Sequence, residues 1–282
     1  MHNLAPYQTG LWLAEYIDIR CQLCRIYRST LAPQLIPHHA LSNAGHSPST
    51  TSESAKPKLA LVNSDALLTR IHHQFRLRLS SGLLCTHCHH SIAWLPEPFD
   101  VDIAFGKSLS IQASTYYDYP IRQAIWAFKH HEDMTKLPLL LHVIRQLPRP
   151  HGCHQYNSVI VAMPTTDQRL AKRGFDPVSI LSAQLSKHWN IPLWHGVQRI
   201  DDTMSQQGLT RAERLSNLDN AFALSQSPPV KRLLLFDDVS TTGASLQALA
   251  RAFIGPEHPN TINAQRYSNY HISAYALAHG SQ

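Results

Sequence analysis

The 282-residue sequence predicts an α/β fold, a parallel sheet flanked by helices, with a small four-cysteine module ahead of it. Three observations carry that prediction. Two short runs, Ser158–Met163 (SVIVAM) and Leu233–Phe236 (LLLF), are continuously apolar rather than alternating, as strands covered on both faces are. From Thr115 onward, segments with apolar residues at helical spacing alternate with such runs. Two Cys-x-x-Cys pairs, Cys21/Cys24 and Cys85/Cys88, stand outside that pattern in the first hundred residues.

Composition sets the outer bounds. Hydrophobic residues make up 43% and charged residues 16% of the chain, as in a soluble globular protein with room for one large domain or two small ones. No apolar run reaches the roughly 18 residues that cross a bilayer. The N-terminal stretch has no basic leader and carries Glu15 and Asp18 within its apolar part. A cytoplasmic protein with reduced thiols is therefore expected. The net charge of +6 suits an anionic ligand or a nucleic acid without deciding between them.

The cysteine pairs come first in the chain. Each Cys-x-x-Cys can present two thiolates to one metal ion, and together Cys21, Cys24, Cys85 and Cys88 make a tetrahedral zinc site. The intervening 60 residues exceed the roughly 15–20 of a compact ribbon. Residues 37–58 account for much of that excess: rich in Ser, Thr, His and Pro, they read as a disordered insertion. Leu59–Leu79 regains helical spacing. Cys85-Thr-His-Cys88-His89 also matches a haem-attachment pattern, which requires export, and a redox pair would need a following helix where Pro96 and Pro98 stand. Zinc is the favoured reading, with His87, His89 and His90 at the surface or behind the ligands. These considerations divide the chain into a zinc module over residues 1–105 and an α/β domain over 106–282.

In the second part, Ile121, Ala124, Ile125 and Phe128 predict a helix closed by Lys129, and Leu137, Leu140, Leu141 and Ile144 predict another that opens at Pro138. The strand Ser158–Met163 is stopped by Pro164-Thr165-Thr166, after which Arg169, Lys172 and Arg173 crowd in before Gly174-Phe175. Asp176 and Pro177 start a further helix with Val178, Leu181, Leu185 and Trp189 inward. Cys153, in a Pro/His-rich linker, reads as an ordinary thiol. Thr210 and Glu213 form a capping box, and Arg211 and Arg214 behind it read either as solvated charges or as a hood over an anion. Leu246, Leu249, Ala250 and Phe253 mark a helix, and Ile272–Leu277 a last strand.

Lys231–Ser245 (KRLLLFDDVSTTGAS) concentrates the chemistry. A buried strand meets Asp237-Asp238 and then a turn of small residues and hydroxyls, Ser240, Thr241, Thr242, Gly243, Ala244 and Ser245, at a helix N-terminus. Backbone N–H groups and hydroxyls there suit a phosphate. The carboxylates can accept from sugar hydroxyls or stand near a divalent cation. In a parallel sheet the Thr165–Thr166 loop opens on the same carboxyl edge, so both loops are expected to share one crevice.

This segment resembles the phosphoribosyl-pyrophosphate signature of type I phosphoribosyltransferases. With the two cysteine pairs, Ile121–Lys129, the Arg169-x-x-x-Arg173-Gly174-Phe175 stretch and Gln207–Arg214, in that order, the chain as a whole resembles the ComF family of competence-associated proteins. The resemblance implies a type I phosphoribosyltransferase-like sheet behind a zinc-ribbon-like module. It implies that Asp237 and Asp238 hold the ribose hydroxyls of phosphoribosyl pyrophosphate and indirectly support Mg²⁺. Ser240, Thr241, Thr242, Gly243, Ala244 and Ser245 would cradle the 5-phosphate, and Thr165, Thr166 and Arg173 would approach the magnesium pyrophosphate. Thr241 stands where purine-salvage relatives commonly carry an Asp, which turns the reading away from purines. The implied process is DNA uptake in natural transformation, with phosphoribosyl transfer to an acceptor of unspecified kind. The alternative is a non-enzymatic adaptor for single-stranded DNA or a helicase-like competence protein.

Overall fold

The computed structural model describes residues 20–29, 83–104, 106–200, 221–254 and 270–280, together with residue 10. The 37–58 insertion, the Leu59–Leu79 helix and the Thr210–Arg214 capping box lie outside the described residues. A five-stranded sheet organises the rest. Its strands are β1 (Phe99–Ala104), β2 (Lys107–Tyr116), β3 (Ser158–Ala162), β6 (Arg232–Ser240) and β7 (His271–His279), in the spatial order β1-β2-β7-β6-β3. Strands β4 (Val197–Arg199) and β5 (Phe222–Leu224) form a separate antiparallel pair.

The sheet is mixed. β2, β7, β6 and β3 run parallel, but β1 pairs antiparallel with β2. This corrects the expectation of a wholly parallel sheet. The local sequence explains it: Phe99-Asp-Val-Asp-Ile alternates apolar and acidic residues, as an edge strand with one wet face does. β1 and β2 are joined by a tight connection through Gly106, whose φ of +68° suits glycine.

Side-chain alternation then divides the strands between two cores. Ile160, Leu234, Phe236, Tyr275 and Leu277 join one core with helices α2 (Ile121–His131), α3 (Leu137–Ile144) and α5 (Pro177–Trp189). Val159, Val161, Leu233, Leu235, Ile111 and Ala274 join the other, with α6 (Ala244–Ala252), β4 and β5. Both faces of the sheet are covered, which is why β3 and β6 read as unbroken apolar runs. The buried positions of α2, Ile121, Ala124, Ile125 and Phe128, are the four that its periodicity predicts. Asp176 caps α5 by accepting from the Val178 amide, with Pro177 in the first turn.

The first core also takes in Cys21, Leu83, Leu84 and Cys85, so the cysteine-bearing segments pack on the same apolar interior as α2 and α3. Among the described residues, no helix is long and apolar enough to cross a membrane.

Candidate functional site

The four paired cysteines converge. The sulfurs of Cys21, Cys24, Cys85 and Cys88 all lie within 4.8 Å of one another, and Cys24 Sγ is 3.9 Å from Cys85 Sγ. Tetrahedral zinc with Zn–S of about 2.3 Å sets sulfurs about 3.8 Å apart, so this donor set fits the ion. Local folding produces the geometry. The Cys21 amide donates to the Tyr27 carbonyl at 2.7 Å and the Arg25 amide to the Cys21 carbonyl at 3.0 Å, while Arg25 takes a left-handed φ of 56°. That tight turn aims the Tyr27 and Ile26 amides at Cys24, whose thiol they hold down to about 6. The second pair sits on the short helix α1 (Thr86–His90), entered at Cys85.

Behind the ligands the three histidines divide between surface and interior. His87 and His90 are exposed, but His89 is buried, with Nδ1 at 3.4 Å from His142 Nε2 and its carbonyl accepting from Trp94 Nε1 at 2.8 Å. Burial holds both imidazoles below their usual pKa, His142 at about 3, so the pair is neutral. His142 is a polar residue in a wholly buried helix, and only the tertiary fold supplies its partner. Cys153, expected in a linker, is buried too.

The second cluster lies on the carboxyl edge of the sheet. β6 continues through both acids to Ser240, so Asp237 and Asp238 are strand residues rather than loop residues. They are 8% and 4% exposed. The Asp238 amide donates to Asp237 Oδ1 at 2.8 Å. Burial, then the charge of Asp238, raises the Asp237 pKa to about 7. Two carboxylates so placed call for a cation, and Lys129 in the last turn of α2 provides one, with Nζ 2.8 Å from Asp238 Oδ2. The helical spacing of α2 marked Lys129 only as a cation suited to a helix end.

Ser240 is 4% exposed and, among the described residues, its Oγ has no hydrogen-bond partner. Its carbonyl accepts from the Gly280 amide at 2.9 Å. Thr241 and Thr242 are exposed, Ala244 and Ser245 half-buried. Gly243 caps α6 in the left-handed region, φ +76°, and no side chain caps that helix end. Its backbone is wedged under the β1–β2 hairpin: a Cβ there would lie 2.6 Å from Ile111 Cδ1 and 2.8 Å from Val101 Cγ1.

The β3 loop arrives beside the acids, because the Met163 amide donates to the Phe236 carbonyl at 2.8 Å. Thr165 and Thr166 are half-buried. The Thr166 hydroxyl accepts from the Arg169 amide at 3.2 Å and so caps a helix the spacing did not reveal, α4 (Asp167–Arg173). Gly174, φ +73°, ends α4, and Phe175 then packs edge-on against Phe128 of α2 with ring centroids 5.4 Å apart. That contact sets Arg173 near the end of α2: after burial, its charge and that of Lys129 hold the His130 pKa low. The edge thus carries two buried carboxylates, an orphaned hydroxyl, an uncapped helix start and the cations Lys129 and Arg173.

Comparison with known proteins adds an independent line. The chain is 34% identical over 169 residues to the competence protein F of Haemophilus influenzae, an alignment spanning 58% of this chain and 71% of that protein. It is 30% identical over 118 residues to the DNA utilization protein YhgH of Salmonella typhimurium, 41% of this chain and 51% of that protein. With the Escherichia coli K12 protein of the same name it shares 32% over 97 residues, 34% of this chain and 42% of that one. No family model matches the chain.

Proposed function

The chain belongs to the ComF family of competence proteins, and from that premise we propose that its carboxyl-edge site binds phosphoribosyl pyrophosphate with Mg²⁺ in the service of DNA utilisation in the cytoplasm. The observation that carries the proposal is the buried pair Asp237–Asp238 at the end of β6, directly followed by the orphaned Ser240 hydroxyl and the uncapped start of α6. A sugar with vicinal hydroxyls satisfies the carboxylates. A phosphate one loop further on takes the backbone N–H groups and hydroxyls of Ser240–Ser245. Thr165, Thr166 and Arg173 flank the place left for the diphosphate. Bound with the ligand, Mg²⁺ would neutralise diphosphate charge, and Asp237 and Asp238 are the acids suited to support it.

Such a site lends itself to transfer of the phosphoribosyl group. The bond from the anomeric carbon to pyrophosphate breaks, pyrophosphate keeps the electron pair, and an acceptor nucleophile forms the new bond as it loses its proton. Asp237 and Asp238 would stabilise the cationic sugar, and the fixed N–H groups and cations would orient its two anionic ends. This chemistry needs no covalent nucleophile from the protein. The cysteine cluster, in this proposal, is a structural zinc centre.

Calorimetric titration of phosphoribosyl pyrophosphate with Mg²⁺ tests the reading. Wild type should bind, and Asp237→Asn/Asp238→Asn should lose at least about tenfold in affinity, as when charged hydrogen-bond partners are removed. No binding by wild type sinks it. A second reading, an adaptor for single-stranded DNA or a protein partner, is favoured by the cysteine turn. Ile26 and Tyr27 there are 77% and 56% exposed beside the exposed Arg28. DNA uptake left intact by the double aspartate variant would favour that reading.

A further inference from the structure

Lys129 has a second task open to it. Its side chain is 22% exposed whereas that of Asp238 is 6% exposed, so Lys129 is the more solvent-accessible member of the pair. A lysine head on a four-carbon stem has three donors and can turn without moving its backbone. The backbone itself is held, since Phe128, the residue before Lys129, is buried and packed edge-on against Phe175. The neighbouring charges are mostly positive. Lys129, Arg173 and His131 all act on His130, with Asp238 the acid opposing them, and the carboxylate of exposed Glu132 lies beside Gly174. When sugar hydroxyls take over the hydrogen bonding of Asp238, the ammonium is released to meet the ligand's anionic end.

We propose that Lys129 is the specificity-determining residue for the diphosphate: it rests on Asp238 while the site is empty and turns to the anion when the sugar is bound. This rests on the ligand reading above and goes beyond it by assigning one side chain to one part of the ligand. A residue that merely holds Asp238 in place would affect every sugar phosphate alike. A residue that reads the diphosphate affects only the ligand that carries one.

The experiment compares ribose 5-phosphate with phosphoribosyl pyrophosphate, each with Mg²⁺, by calorimetry on wild type, Lys129→Met and Lys129→Arg. Wild type should prefer the diphosphate ligand. Lys129→Met should weaken phosphoribosyl pyrophosphate by about tenfold or more beyond whatever loss it causes for ribose 5-phosphate, the loss typical of a charged contact. Lys129→Arg should recover most of that loss. Equal loss for both ligands, or unchanged affinity for phosphoribosyl pyrophosphate, overturns the role of Lys129 alone. Wild type binding neither ligand overturns the ligand reading and this proposal with it. If circular dichroism shows Lys129→Met unfolded, Lys129→Gln, which keeps a donor to Asp238 without the charge, carries the same expectations.

Discussion

Gly243→Ala puts the geometry of the loop after β6 to a quantitative test. The residue sits at φ +76°, where an alanine costs about 1–2 kcal/mol in backbone strain. The added methyl would also fall 2.6 Å from Ile111 Cδ1, 2.8 Å from Val101 Cγ1 and 3.2 Å from Phe99 Cε2, all on the β1–β2 hairpin. Displacing packed side chains of this kind costs a further 1–3 kcal/mol or so, making the whole effect about 2–5 kcal/mol. Gly174→Ala is the control. Its φ is +73°, but a Cβ there would come no nearer than 3.8 Å to Glu132 Oε1, so only the strain applies. Urea unfolding followed by the fluorescence of the buried Trp189 and Trp194 measures both variants. Gly243→Ala should be the less stable by about 1–3 kcal/mol at unchanged m-value. Stabilities within about 0.5 kcal/mol of each other, the scatter of ordinary surface changes, would refute the wedge.

Two further outcomes follow from the site geometry. The purified chain should carry one zinc per molecule, lost on Cys21→Ser or Cys85→Ser; metal content unchanged by either replacement would rule out the four-cysteine site. The Asp237 carboxyl has a folded pKa near 7 against 3.8 as its ordinary value. Its folded form therefore holds a proton that the unfolded chain has released. Its contribution to stability is fully present below about pH 4 and is lost as pH rises towards 7, a change of a few kcal/mol. The stability difference between wild type and Asp237→Asn should accordingly change across that window, and a difference flat from pH 4 to 8 would contradict the burial of Asp237.

Much of this organisation was legible in the chain, and the gaps have physical causes. Helices α2 and α6 bury the residues their periodicity marks, and α5 buries Leu181, Leu185 and Trp189 but leaves Val178 half-buried, because one amphipathic face suffices to predict one packed face. The acidic pair and the loop behind it could be read because strand, acids, hydroxyls and glycine are contiguous. The β1–β2 hairpin was equally written in the alternation of Leu109, Ile111 and Ala113 with Ser108, Ser110 and Gln112, yet its position next to the cysteine segment concealed it. The unread elements are those made by distant partners. Lys129 meets Asp238, and His142 meets His89, between segments far apart in the chain. No local spacing encodes either pairing. α4 escaped notice because it buries no residue and so lacks an apolar stripe.

The sheet's margins bear on how copies of this chain can meet. β3 is the last strand on its side, but its outer backbone is engaged: the Ile160 amide donates to the Pro192 carbonyl and the Trp194 amide to the Ile160 carbonyl, both at 2.9 Å. On the opposite margin β1 turns Asp100 and Asp102 to solvent, and a second copy aligned there would bring like charges together. An uncovered margin is a template on which strands of other molecules can pair and grow into aggregates. Here one margin is engaged at Ile160 by the chain's own backbone and the other is guarded by repulsion. Runaway strand-to-strand accretion is thereby discouraged in a protein whose central strands, LLLF and SVIVA, would otherwise be prone to it.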